Sequence, residues 1–349
     1  MIHARRLGRV RTVSVLLPLL LLLALLPGGG PAPAGREHAE QLAPVASVNR
    51  LRVVAISLDG LNPRAISILG RDRLPHLYRM LSEGAWTMNA RSQVELTTTL
   101  PNHTSMVTGR RVDAASGGHG VTWNTHLPGT TVRNAAGHDV SSVFRVVRAA
   151  GGATTLFSTK TKLSLFSRSW PNAITRTVIR TDADGTLTAL FRRDLLAHRR
   201  SFALLHLGLA DRVGHDAGWL SPAYLAAVER LDRLVGSVLA TIRTTWRLRR
   251  STMVVLTADH GGVPGGRDHE DPTLLDDYRV PFVVWGRGVA HRGLYRLNPD
   301  RIEPGRSQPG FGGSQPIRNG DLANLATDVL GLGPVPGSLW NRRQDLDWR

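Results

Sequence analysis

Three carboxylates in this sequence stand where apolar runs end. Asp59 follows Val-Val-Ala-Ile-Ser-Leu, Asp211 closes Ala-Leu-Leu-His-Leu-Gly-Leu-Ala, and Asp259 follows Met-Val-Val-Leu-Thr-Ala with His260 directly after it. Any one of them could cap a strand or form a turn. Three together, two with a histidine close by, point to a shared site. His215 lies four residues beyond Asp211, a spacing that can bring both side chains to one metal, and Gly214 is expected to loosen the turn between them. Asp194 and His198 repeat that spacing inside an arginine-rich stretch of predicted helix, where a surface contact one turn apart is the expected role. Asp268-His269 repeats the Asp259-His260 pair without a strand leading into it. His269, in a Gly-rich loop, remains a third nitrogen donor, with His291 a distant second. The chain has no cysteine, which excludes disulfides, thiolate zinc sites and a cysteine nucleophile. Carboxylate and imidazole donors suit zinc, and also manganese or iron.

A second group centres on hydroxyls. Thr97, Thr98 and Thr99 precede Leu100-Pro101, and proline in a first turn starts a helix. A hydroxyl at that point meets unpaired N–H groups at the positive end of the helix, a ready place for a phosphate. An ordinary N-cap threonine fits the same residues. Lys160 and Lys162 form a third group, because the other 42 of the 44 basic residues are arginine. On an extended segment, residues two apart share a face. Both ammonium groups are therefore expected to face the site and bind an anionic part of the substrate, with ordinary solvated lysines as the alternative.

Alternating apolar and amphipathic stretches from residue 51 onward predict βα units around a mostly parallel sheet sandwiched by helices, an α/β fold. Such sheets carry their sites at the carboxyl ends of the strands, where the three acidic residues stand. Strands are predicted near Leu51–Leu58, Thr154–Ser158, Arg176–Arg180, Phe202–Leu207, Met253–Thr257 and Val280–Trp285. Helices are predicted near Leu74–Glu83, Pro101–Thr108, Val143–Ala149, Leu187–His198, Pro222–Thr244 and Asn319–Leu330. Pro304–Gly313 reads as a surface loop. Upstream, four arginines, the apolar run Val13–Leu26 and a Gly/Pro-rich break describe a signal peptide over 1–34, cleaved after Ala34, with 35–50 a linker and 51–349 one catalytic domain. The apolar run is short for a span, although a signal anchor is the competing reading. An exported protein, secreted or held in the cell envelope with no membrane span after cleavage, is expected.

Five blocks now resemble the alkaline phosphatase superfamily, most closely its type I phosphodiesterase and nucleotide pyrophosphatase branch. They are SLDGL around Asp59, TLPNHTSMVTG from Thr99, HGVTWN ending at Asn124, DRVGH and TADHGG, in the family's order. The resemblance implies an alkaline phosphatase-like fold and two divalent metals, usually zinc. Asp59, Thr99, Asp259 and His260 would hold one metal, and Asp211, His215 and His269 the other. It makes Thr99 the nucleophile, through a threonyl-phosphate intermediate, and Asn124 a donor to a phosphoryl oxygen. Lys160 and Lys162 resemble the K-x-K of phosphonoacetate hydrolases, which holds a substrate carboxylate.

The expected activity is hydrolysis of a small phosphate ester, most readily a phosphodiester or nucleotide pyrophosphate. A phosphomonoesterase and a phosphonate hydrolase are the enzymatic rivals, and a basic envelope-associated binding module with a vestigial metal site is the non-enzymatic one. A sulfatase does not fit, because Thr99 is not followed by the Pro-x-Arg pattern of a formylglycine block. The net charge of +17 falls to +13 without the four signal-segment arginines, and reads as arginine bias rather than a specific nucleic-acid footprint.

Overall fold

In the computed structural model residues 51–349 are described, so the expected signal peptide and linker lie outside the described residues. Seven strands build one sheet: β1 Arg52–Leu58, β2 Gly84–Arg91, β3 Thr154–Ser158, β4 Arg176–Ile179, β5 Phe202–Leu207, β6 Thr252–Thr257 and β7 Arg279–Gly286. Their order is β2-β7-β6-β1-β5-β3-β4. β1 pairs in parallel with β5 and β6, and β3 with β4 and β5, whereas β7 runs antiparallel to β6 and β2. The sheet is thus mostly parallel, as expected. β1, β3, β5 and β6 are buried along their whole length, which fits strands covered by helices on both faces and explains their largely apolar runs. The helix Pro222–Thr244 closes one side with an apolar stripe that includes Val228, Leu231, Val235 and Leu239.

The predicted strands and helices form within three residues of their expected bounds, and three departures bear on the site or the sheet. β2 is not among the predicted strands, because Gly, Asn and two Ala dilute its β-forming residues, and it is an edge strand whose strand partner is β7. The helix Pro63–Arg73 was also missed, although Asn62 caps it through a bond from Arg64 N and Pro63 opens it. The expected turn around Gly214 is instead the helix Leu209–Ala217. Gly214 does not loosen it: a Cβ there would lie 2.6 Å from the buried indole of Trp219, so glycine permits close packing.

Candidate active site

The backbone brings the acidic residues together before any side chain does. β1 and β5 end side by side, Asp59 N donates to Leu207 O at 3.0 Å, and Asp211 N donates to Asp59 O at 3.1 Å. Gly60 follows in a left-handed conformation with φ 70°, and a Cβ there would lie 2.8 Å from Asp211 Cα. Only glycine lets the turn after β1 touch the helix Leu209–Ala217 at this point. Gly60 N in turn donates to Asp259 Oδ1 at 3.1 Å, which ties the end of β6 to the same place.

Around this junction lie two groups of buried side chains whose donor atoms converge within 4.8 Å. One comprises Asp59, Asp259 and His260, and the other Asp211, His260 and His269. His260 Nε2 is shared, at 3.4 Å from Asp59 Oδ1, 3.6 Å from Asp211 Oδ1 and 3.2 Å from Asp259 Oδ2. His269 Nε2 is 3.6 Å from Asp211 Oδ1, and its ring stacks on that of His260 at 3.5 Å. The half-exposed His215 sits beside these groups, its Nε2 3.3 Å from Asp211 Oδ1, as one turn of helix requires. All three rings direct Nδ1 at a backbone carbonyl: His215 at Arg267 O, His260 at Gly261 O and His269 at Thr97 O. A carbonyl only accepts, so Nδ1 carries a proton and Nε2 is the nitrogen turned to the carboxylates, as in metal-binding histidines. Against its burial, the facing carboxylates push His260 up to about 9, and Asp211 raises His215, so a cation entering here would displace a proton from Nε2.

Thr99 is the first residue of the helix Thr99–Thr108, and Thr98, not Thr99, is its N-cap. The fully buried Thr99 hydroxyl lies 3.3 Å from Lys160 Nζ. Lys160 Nζ also donates to Asp211 Oδ2 at 2.6 Å and pairs with Asp59 Oδ2 at 2.7 Å. Lys162 Nζ donates to Asn124 Oδ1 at 3.0 Å, and that oxygen also accepts from Leu100 N at 3.0 Å. Both lysines reach the site, yet not from an extended segment. A 3₁₀ turn over Thr161–Ser164 carries Lys162 around to Asn124.

The electrostatics follow from three carboxylates in one buried place. Burial alone would raise Asp59, but Lys160 and the His206 and His260 rings beside it outweigh burial and hold the carboxyl well below its usual range. Asp211 is likewise lowered, its burial and the Asp59 charge being overcome by Lys160 and His215. Asp259 is pushed up to about 8 by burial and then by the Asp59 charge. His269 is lowered by burial and by His260, which keeps it a neutral donor. Asp59 Oδ1, Asp211 Oδ1, Asp259 Oδ2 and His260 Nε2 are all buried without a hydrogen-bond partner. Four orphaned donor atoms of the hard-oxygen and imidazole type, converging on one point, fit divalent cations.

Two residues here escaped the sequence reading. His206 Nε2 donates to Asp59 Oδ2 at 2.8 Å, and His103 spans Ser57 Oγ and Thr99 O at 2.8 Å each. The decoys lie elsewhere. Asp194 is neutralised by Arg176 and Arg200, with His198 at 3.9 Å, while Asp268 Oδ1 accepts from His269 N and Glu270 N as a turn former. His291 lines a cleft beyond the other end of the sheet.

Comparison with known proteins bears on the family and the fold. Two curated relatives, both named GPI ethanolamine phosphate transferase 1, come from Neurospora crassa and Chaetomium globosum. They are 35% identical over 123 residues and 33% identical over 115 residues, which is 35% and 33% of this chain. The matched segments span only 11% and 12% of those proteins' lengths. Among solved structures, murine ectonucleotide pyrophosphatase / phosphodiesterase 5, in an inactive form complexed with AMP, superposes with a TM-score of 0.62. It is 14% identical and covers 85% of this chain and 99% of its own. The lipoteichoic acid synthase LtaP from Listeria monocytogenes gives 0.59 at 13% identity, over 84% of this chain and 74% of its own. At such identities these likenesses speak for the alkaline phosphatase-like fold alone. The sequence profile of type I phosphodiesterases / nucleotide pyrophosphatases matches residues 53–308, taking in every residue of the two converging groups, and the chain belongs to that family.

Proposed function

We propose that this protein hydrolyses phosphodiester or pyrophosphate bonds with Thr99 as the nucleophile. The convergence of the Thr99 hydroxyl, through Lys160, on carboxylates and imidazoles with orphaned donor atoms carries the reading. Asp59, Thr99, Asp259 and His260 would hold one divalent cation, and Asp211, His215 and His269 a second, with zinc expected and manganese or iron compatible. What such a pair supplies when bound is acidity for a coordinated hydroxyl or water and stabilisation of a leaving oxygen.

Thr99 Oγ1 attacks phosphorus, the ester oxygen departs with the proton that threonine gives up, and a threonyl-phosphate ester remains. Water then cleaves its P–O bond, which restores the hydroxyl and releases a phosphate monoester. Lys160 donates to the Thr99 oxygen and favours its charged form. Asn124 already accepts from Leu100 N and Lys162, so its amide N–H₂ is the part left to donate to a phosphoryl oxygen. Lys162 keeps two further N–H donors for an anionic part of the substrate. Export through residues 1–34 places this chemistry outside the cytoplasm.

The test compares bis-p-nitrophenyl phosphate, a nucleotide p-nitrophenyl ester, p-nitrophenyl phosphate and phosphonoacetate, with and without chelator, for wild type and Thr99→Ala. Diester cleavage should require metal and fall about 10³-fold or more in Thr99→Ala. Diester activity that survives both treatments overturns the proposal, and a preference for the monoester or phosphonate moves the activity to that class. Because two curated relatives are named transferases, an alcohol acceptor is included in one arm. Transfer of the phosphoryl group to that alcohol at the expense of water would make the protein a transferase working through the same threonine.

A further inference from the structure

The catalytic groups follow the carboxyl ends of β1, β5 and β6. The opposite ends of these strands begin a different surface. There a cleft of about 510 Å³ is lined by Arg243, Arg249, Arg250, Arg287, Thr252 and Trp285. Arg243 comes from the last turn of the helix Pro222–Thr244, Arg249 and Arg250 from the short helix that follows, and Arg287 from the end of β7. The one acid in the cleft, Glu83, is engaged by Trp285 Nε1 at 3.0 Å and faces Arg79 at 3.8 Å.

Arginine is common throughout this chain, so its number is not the argument; its pairing is. Near the catalytic end Arg212 is matched with Asp182 and Asp184, and Arg64 with Asp276. Arg243, Arg249, Arg250 and Arg287 form no ion pair with a carboxylate among the described residues. Thr252, at the floor of the cleft, adds a hydroxyl that is buried and without a partner.

Apolar side chains stand at the rim. Trp246 is 65% exposed with the Arg250 guanidinium 5.0 Å above its ring. Arg247 donates to the carbonyl of Leu196, itself exposed. The chain also enters the described fold here, with Arg52 N bonded to Ser251 O at 2.7 Å.

We infer that this end of the molecule is a docking surface for membranes rich in anionic phospholipid, with lipid phosphate held by the arginines of the cleft and Trp246 seated at the interface. Guanidinium forks match phosphate oxygens in two-point contacts. A tryptophan beside cationic side chains is suited to the boundary between headgroups and acyl chains. An anionic surface draws unpaired basic groups toward it. β6 is six residues long, so the docked end and the carboxylate cluster are on the order of 20 Å apart. The catalytic groups then face away from the membrane, toward soluble substrate.

The full chain, loaded with metal, is mixed with vesicles carrying brominated acyl chains, made of phosphatidylcholine alone or with one part in three phosphatidylglycerol. Emission from Trp246 is taken as the difference between wild type and Trp246→Phe. Any insertion of the N-terminal apolar run contributes to both lipid mixtures, so the difference between them reports on the cleft. Quenching of this emission by about twofold is expected with phosphatidylglycerol, with little in phosphatidylcholine and a return to little at high salt. The pair Arg249→Glu and Arg250→Glu should abolish it while leaving diester hydrolysis unchanged. Equal quenching by both lipids, or none by either, overturns the inference. So does binding of millimolar inorganic triphosphate to wild type but not to the double variant when vesicles leave Trp246 unquenched, because the cleft would then serve a soluble phosphate.

Discussion

At the scale of the residue, Asp59 depends on a partner that contributes no ligand atom of its own to either group. His206 donates Nε2–H to Asp59 Oδ2, and its Nδ1 faces Ser158 Oγ at 3.2 Å, so the ring is fixed at both ends. This leaves Asp59 Oδ1 as the free donor atom beside His260. Removing such an orienting contact lowers metal affinity about 10–100-fold in comparable sites. His206→Ala should therefore weaken metal binding by that order, read by titration of the chelator-treated protein. Excess zinc should restore most of the activity, and His206→Gln, which can still donate, should lose less than the alanine variant. Unchanged affinity in His206→Ala would make the histidine a core residue only. His206 was missed because it lies inside the run Phe202–Leu207, where the apolar pattern speaks for a strand. The readable signal was a histidine in a strand otherwise fit for full burial, which needs a polar partner. Asp59, Asp211, Asp259 and His260 were legible for the converse reason, since each stands where an apolar run stops.

At the scale of the element, the helix Leu209–Ala217 holds Asp211 and His215 one turn apart and is pinned by Trp219. The Trp219 indole donates to Gly60 O at 2.9 Å and packs directly on Gly214. The same indole therefore sets the helix against the loop that follows β1. Gly214→Ala places a methyl group 2.6–2.8 Å from indole carbons. Overpacking of this kind costs about 1–3 kcal/mol. The melting temperature should fall by about 2–5 °C, with weaker metal binding as the helix is pushed from Asp59. A fall below about 1 °C would mean that Trp219 repacks freely and does not set the helix. The proximity of Asp211 and His215 was legible in DRVGH and the element that holds them was not, because a glycine four residues into a short segment reads as a break. Only the tertiary neighbour, Trp219, shows why it is there. β2 was illegible on similar grounds: its pairing with β7 comes from the fold, since its own residues carry little strand preference.

At the scale of the whole molecule, three buried carboxylates drawn from three strand ends oppose folding unless cations meet them. Lys160 meets Asp59 and Asp211, but Asp259 remains held up to about 8 and Asp59 Oδ1, Asp211 Oδ1 and Asp259 Oδ2 remain without partners. A divalent cation that binds this arrangement and not the unfolded chain stabilises it by mass action, about 2.7 kcal/mol for each site at a free concentration 100-fold above Kd. The two proposed sites together should raise the melting temperature of the chelator-treated protein by about 5–10 °C on addition of zinc. Asp211→Asn should remove a large part of that rise. The sign with pH follows from the ligands: binding needs ionised carboxylates and neutral imidazoles, so protons compete with the metal. The zinc-induced rise should therefore shrink as pH falls from 8 to 5 and grow in the reverse direction. Calorimetry of the protein with and without zinc across this range measures it. A rise that does not depend on pH, or one that Asp211→Asn leaves intact, would place the stabilising metal somewhere other than at the ends of β1, β5 and β6.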